Sequence, residues 1–175
     1  MKKWVLVLIF LFSGCVGIPE GVQPVDNFQL ERYLGTWYEI ARLDHSFERG
    51  LTHVTADYSL RPDGGVRVIN RGYSQKQGAW KQAEGRAYFV EQPHRGFLKV
   101  SFFGPFYGSY VIFDLDRNNY SWALVCGPNR SYLWILARTP EISSGLKSDL
   151  IRKAGDLGFD TEGLIIVPQR APPGQ

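Results

Sequence analysis

The sequence predicts an all-β protein, an up-and-down antiparallel eight-stranded barrel with one C-terminal α-helix packed outside. Three observations predict it. From Gly35 to Arg138, short runs of β-branched and aromatic residues are separated by tight-turn signals. Within those runs, apolar residues fall on alternate positions, as on strands with one buried face. After the last run comes one stretch whose apolar residues recur every three to four positions, which is helical spacing. The composition is that of a folded protein, with 44% hydrophobic and 14% aromatic residues and 19 glycines placed singly. A net charge of +3 without a basic stripe gives no warrant for a nucleic-acid partner.

Residues 1–14 read as a signal peptide. Lys2 and Lys3 form a positive start, the apolar run Trp4 to Phe12 is too short to span a membrane as an ordinary helix, and Ser13-Gly14 supplies small residues before a cleavage point. Leu11-Phe12-Ser13-Gly14-Cys15 resembles a bacterial lipobox. That resemblance implies a diacylglycerol thioether on Cys15, removal of the preceding residues, and acylation of the new amino terminus as an N-palmitoyl cysteine. Multiple acyl chains anchor stably where one would be marginal. With Cys15 lipidated, Cys126 has no partner for an internal disulfide, and its place at a strand end suits a small buried hydrophobe. Residues 15–27, with Gly17, Pro19, Gly21 and Pro24 and no periodicity, read as the lipidated cysteine and a flexible tether.

The ordered domain is expected over residues 28–168, with 169–175 as a tail. Phe28, Leu30 and Tyr33 sit on a short helical turn that plugs something. The first strand, Thr36–Leu43, follows Gly35. Seven more are expected at Leu51–Arg61, Gly65–Tyr73, Gly78–Val90, Gly96–Phe103, Ser109–Asp114, Tyr120–Val125 and Tyr132–Arg138. Turns such as Pro62-Asp63-Gly64-Gly65 and Asp116-Arg117-Asn118-Asn119 are short enough to join antiparallel neighbours. Closing eight such strands leaves no free edge; a two-sheet sandwich is the alternative. Thr139 and Pro140 mark a helix start. Ile142, Leu146, Leu150, Ala154 and Leu157 form its apolar stripe, Asp149 and Lys153 an i,i+4 pair, and Gly158 its end. Leu164–Val167 is a last short strand.

Alternation assigns the inner face. On the first strand Trp37, Glu39, Ala41 and Leu43 share one side, while Tyr38, Ile40 and Arg42 share the other and need cover from the helix. Elsewhere the inner set contains Val68 and Asn70, Ala83, Gly85 and Ala87, and Leu98, Val100 and Phe102. So many small residues inside leave space, and a barrel of this size then holds one small ligand.

Gly35-Thr36-Trp37-Tyr38-Glu39-Ile40-Ala41 resembles the lipocalin signature, in the bacterial lipoprotein and apolipoprotein-D-like branch. Phe47-Glu48-Arg49-Gly50, the run Val100 to Gly108, Ala123 to Pro128 and Tyr132 to Leu136 resemble that branch too, so the likeness covers Phe28 to Val167. It implies the barrel. It also implies a closed end marked by Gly35, Trp37, Asp116 and Arg138, with Arg138 packed over the tryptophan as a cation–π pair. Leu115 and Arg117, beside Asp116, depart from the common threonine and tyrosine. The family geometry places Asp44–Gly50, Ser74–Gln77, Gly104–Gly108 and Gly127–Arg130 at the open end, where Arg49, Phe106 and Tyr107 become candidates to meet a ligand.

His45, His53 and His94 lack metal-ligand spacing, no Gly-x-Ser-x-Gly elbow occurs, and Gly64-Gly65 is a hairpin turn rather than a phosphate loop. No catalytic residue, metal or cofactor is therefore assigned, and the chain is not read as an enzyme. Glu39, pointing inward, needs a polar partner such as Asn70 or an arginine. The resemblance implies a lipid-anchored protein of the bacterial outer membrane, facing the periplasm. It would bind a fatty acid or lysophospholipid for storage or transport, and a homodimer is compatible with it. The alternatives are an envelope protein-interaction module with a filled barrel, or an enzyme acting on a lipid-like substrate.

Overall fold

The computed structural model describes residues 16–169; the expected signal peptide and Cys15 lie outside the described residues. A short helix α1 (Leu30–Tyr33) leads into β1 (Gly35–Arg42). There follow β2 (Leu51–Leu60), β3 (Val66–Ser74), β4 (Ala79–Phe89), β5 (Phe97–Ser101), β6 (Gly108–Leu115), β7 (Trp122–Cys126) and β8 (Leu133–Ala137). Each strand pairs antiparallel with its neighbour, and β1 pairs with both β8 and β2, which closes an eight-stranded barrel. Helix α2 (Ser144–Asp156) and the two-residue strand β9 (Ile165–Ile166) complete the domain, β9 lying outside against β1.

Helix α2 starts later than Thr139 and Pro140 predict. Ser143 is its N-cap, its hydroxyl accepting the Leu146 N–H. Leu150 and Ala154 are buried from its stripe, and Leu150 packs with Ile40, Ala41, Leu124, Ile135 and Ala137 on the barrel's outer surface. Gly158, at φ +82°, ends the helix in the left-handed conformation that favours glycine. Lys153 does not pair with Asp149; its ammonium reaches Asp114 on the barrel wall at 2.5 Å, and Arg152 serves Asp149 and Asp156.

Strand β1 corrects the simple alternation. Its pairing with β8 shifts between Glu39 and Ala41, a bulge in which Ile40 is the extra residue. Ile40 and Ala41 therefore both face out under α2, Leu43 joins a second outer cluster, and Arg42 turns into the barrel. A one-residue slip exchanges faces for everything beyond it.

The segment 16–27 also differs from a free tether. Gly17 N–H donates to Ser109 Oγ at 2.8 Å, and the Ser109 hydroxyl donates back to Gly17 O at 2.6 Å. Farther on, Val25 N–H bonds Ile112 O and Gly96 N–H bonds Val25 O, both at 2.8 Å. Val22 and Val25 are buried. The segment is a strap running down the outside of the barrel, because its backbone finds partners and two of its valines find apolar cover.

Candidate functional site

The floor is built first. Gly35, at φ +89°, turns the chain sharply from α1 into β1. Trp37 follows, fully buried, its indole N–H bonded to Tyr33 O at 2.8 Å. The Arg138 guanidinium lies 4.0 Å from the Trp37 ring centroid and donates to the carbonyls of Thr36, Arg32 and Leu34 at 2.7–2.9 Å and of Tyr120 at 3.3 Å. One side chain thus ties together α1, β1 and the turn before β7. Asp116 caps that turn, accepting from the backbone N–H groups of Asn118, Asn119 and Ser121 and from the Ser121 hydroxyl, without needing the usual neighbours.

Above the floor is a cavity of about 620 Å³, open at the opposite end. Of the expected ligand-contacting residues, Glu39, Val68, Asn70, Ala87, Leu98, Val100, Phe102 and Phe106 line it. Three do not. Ala41 is turned outward by the bulge. Arg49 is held at the rim by Asp44, at 2.6 Å. Tyr107 lies on the outer wall, where its hydroxyl accepts from Arg86 and its ring meets Tyr88 and Lys99. Gly85 matters for the walls: a Cβ there would stand 2.9 Å from the Phe102 ring, so the glycine lets that ring lie against β4.

Two polar clusters lie in the cavity; the sequence foresaw only Glu39 and its need for a partner such as an arginine. Deep in it, Tyr110 OH lies 2.8 Å from both Tyr33 OH and Tyr58 OH. Burial raises all three hydroxyls above the ordinary tyrosine range, so they stay neutral. Nearer the mouth, Arg42 donates to Glu39 at 2.6 Å and to the carbonyls of Glu48 and Leu51 at 2.9 and 3.1 Å. Glu48 accepts from the Trp134 indole at 3.1 Å and lies 3.1 Å from His45 Nε2. Burial, then the Glu48 charge, push the Glu39 carboxyl well above its usual range, and Arg42 does not offset them. Burial also acts to raise Glu48, but the bonds and charge of His45, with Trp134, outweigh it and hold Glu48 below its usual range. The inner pair therefore holds its proton on Glu39. Asn70 Oδ1 is buried with no hydrogen-bond partner among the described residues. The same residues include no group of three or more His, Cys, Asp or Glu placed to hold a metal.

A barrel sealed at one end by an aromatic floor and open at the other around an apolar hollow defines the calyx-forming class of proteins. Comparison with known proteins narrows this. Residues 28–169 match the lipocalin-like domain, and the chain belongs to the lipocalin family. It is 60% identical over 160 residues to the outer membrane lipoprotein Blc of Vibrio cholerae, covering 91% of this chain and 94% of that protein. The Blc of Escherichia coli K12 is likewise 60% identical, over 86% of this chain and 85% of that one. Bovine apolipoprotein D is 33% identical over 78% of this chain and 79% of its own. Among solved structures, insecticyanin from the tobacco hornworm superposes with a TM-score of 0.66 at 19% identity, covering 86% of each chain, a likeness of fold.

Proposed function

We propose that this chain is a lipid-anchored lipocalin of the bacterial envelope that takes up an amphipathic lipid, a fatty acid or a lysophospholipid, and stores or transports it. The observation that carries the reading is the apolar cavity, sealed below and open at one end. An acyl chain entering it is stabilised by about 0.8 kcal/mol per buried CH₂. The outer membrane lipoprotein relatives at 60% identity support an anchor on Cys15 and an outer-membrane location.

The inner charges support a pose, for either lipid, in which the head group stays at the rim. Arg42 is already shared among Glu39 and two carbonyls, and a carboxylate drawn inside also meets the ionised Glu48. A head group left at the rim avoids that cost.

The test is titration of delipidated protein beginning at Val16, followed by tryptophan fluorescence, with native mass spectrometry for stoichiometry. A palmitoyl lysophospholipid should bind saturably, and its lauroyl analogue, four methylenes shorter, roughly 200-fold more weakly. A folded protein that binds neither overturns the reading.

A further inference from the structure

Two features of the open end go beyond lining the cavity, although Phe47, Phe103 and Phe106 at its rim also border it. The first is the course of the strap. Gly17 is fastened to Ser109 at the start of β6, and a Cβ added to it would stand 4.0 Å from Pro128 O, in the loop between β7 and β8. Both Ser109 and Pro128 line the mouth of the cavity. From there the strap descends to Val25, beside Ile112 and Gly96, and to Phe28 N–H, which bonds His94 O near the floor at 2.8 Å. The chain therefore leaves the barrel at its mouth, and only Val16 separates the fastened Gly17 from Cys15. A free tether of a dozen residues would reach about 40 Å and let the barrel take any attitude. The fastened strap allows about 4 Å per residue, so the mouth stays beside whatever holds Cys15.

The second is the rim. Phe103 is 80% exposed, Phe106 62% and Phe47 59%, the three most exposed large hydrophobic residues among those described. They stand on the β5–β6 and β1–β2 loops, beside the strap's exit. The four loops at this end also carry Lys76 and Arg130, the latter bonded to the carbonyls of Leu157 and Glu20, and their two acids are engaged, Asp44 by Arg49 and Glu48 inside the barrel. Aromatic rings among basic groups suit the boundary of a bilayer with anionic lipid.

We infer that the open end of the barrel faces the bilayer, with Phe47, Phe103 and Phe106 set into its head-group region, so that ligand passes between leaflet and cavity without crossing water. This rests on the anchored, lipid-binding reading above. The occupant of the rim is a lipid surface because the strap ends there, one residue from the expected acyl chains.

The test uses the full lipoprotein extracted from membranes and reconstituted into vesicles of phosphatidylethanolamine and phosphatidylglycerol. An environment-sensitive fluorophore is attached in separate samples at Phe103→Cys, on the rim, and at Asn118→Cys, in the turn beneath the floor; the unsubstituted protein, whose Cys126 is buried, is the labelling control. Nitroxide lipids labelled near the head group should quench the rim probe strongly, with a blue-shifted emission, and leave the floor probe unchanged. Equal quenching, stronger quenching at 118, or none at either position overturns the inference. Lysophospholipid binding is read separately on the unlabelled protein, so a barrel that binds lipid with its mouth turned away is told apart from one that binds none.

Discussion

Replacing Arg138 by alanine tests the floor. The guanidinium donates to four carbonyls and covers Trp37. Bonds from a charged donor reach about 1.5–3 kcal/mol each where water is excluded. This group is only partly buried, so water replaces part of that, and the four together retain roughly 2 kcal/mol. The ring contact adds about 1 kcal/mol. A loss near 3 kcal/mol lowers the urea midpoint by about 1.5 M at a slope of about 2 kcal/mol/M, and the melting temperature by roughly 6–12 °C. Arg138→Lys should recover less than half, since an ammonium cannot fork to carbonyls on three segments. Equilibrium urea unfolding followed by circular dichroism measures both. A loss below about 1 kcal/mol for alanine, or full recovery by lysine, refutes the argument that the fork holds the floor together.

Three other outcomes follow from the interior. Below about pH 4 both folded and unfolded chains bind the Glu39 proton; as pH rises toward the raised folded value, only the native state keeps it, so wild-type stability falls. The advantage of Glu39→Gln over wild type should therefore grow with pH in denaturant titrations, and an advantage that shrinks contradicts this assignment. Tyr110→Phe strips the shared partner from Tyr33 and Tyr58 and should cost about 1–3 kcal/mol by thermal unfolding, whereas no loss means that water already serves those hydroxyls. Burial pushes the Cys126 thiol up to about 12, so a thiol reagent at pH 8 should react only as fast as the barrel opens, and immediate labelling of native protein contradicts its burial.

The strands were legible because their signals are local: β-branched and aromatic runs, alternation, and turns of few residues. All eight barrel strands lie within a few residues of their expected bounds. The bulge at Ile40 was not legible, since Ile40 and Ala41 are both apolar and no composition marks an inserted residue. That one position misplaced Ala41 and Arg42 and hid the inner charge cluster. The strap was mistaken for a linker because proline and glycine spacing resembles one; the bonds holding it go to the Ser109 hydroxyl and to the backbone of Ile112 and Gly96, far along the chain. Tyr33, Tyr58 and Tyr110 meet from α1, β2 and β6, a convergence that spacing along the chain does not record.

The wall has one seam. β1 pairs with β2 only from Gly35 to Tyr38, and above that the two strands part. Gln169 bridges the gap, its side-chain amide donating to Glu39 O at 2.7 Å and to Val54 O at 2.9 Å, while His53 N–H bonds Pro168 O at 2.8 Å. The stitch joins residues 130 positions apart. A chain synthesised from its amino terminus thus makes its first strand early and fastens it last. Until residue 169 arrives, the upper half of β1 has backbone groups unmatched on that side, and closing so long a loop is slow. The order of emergence makes the unfinished barrel, rather than the finished one, the form most in need of protection from aggregation.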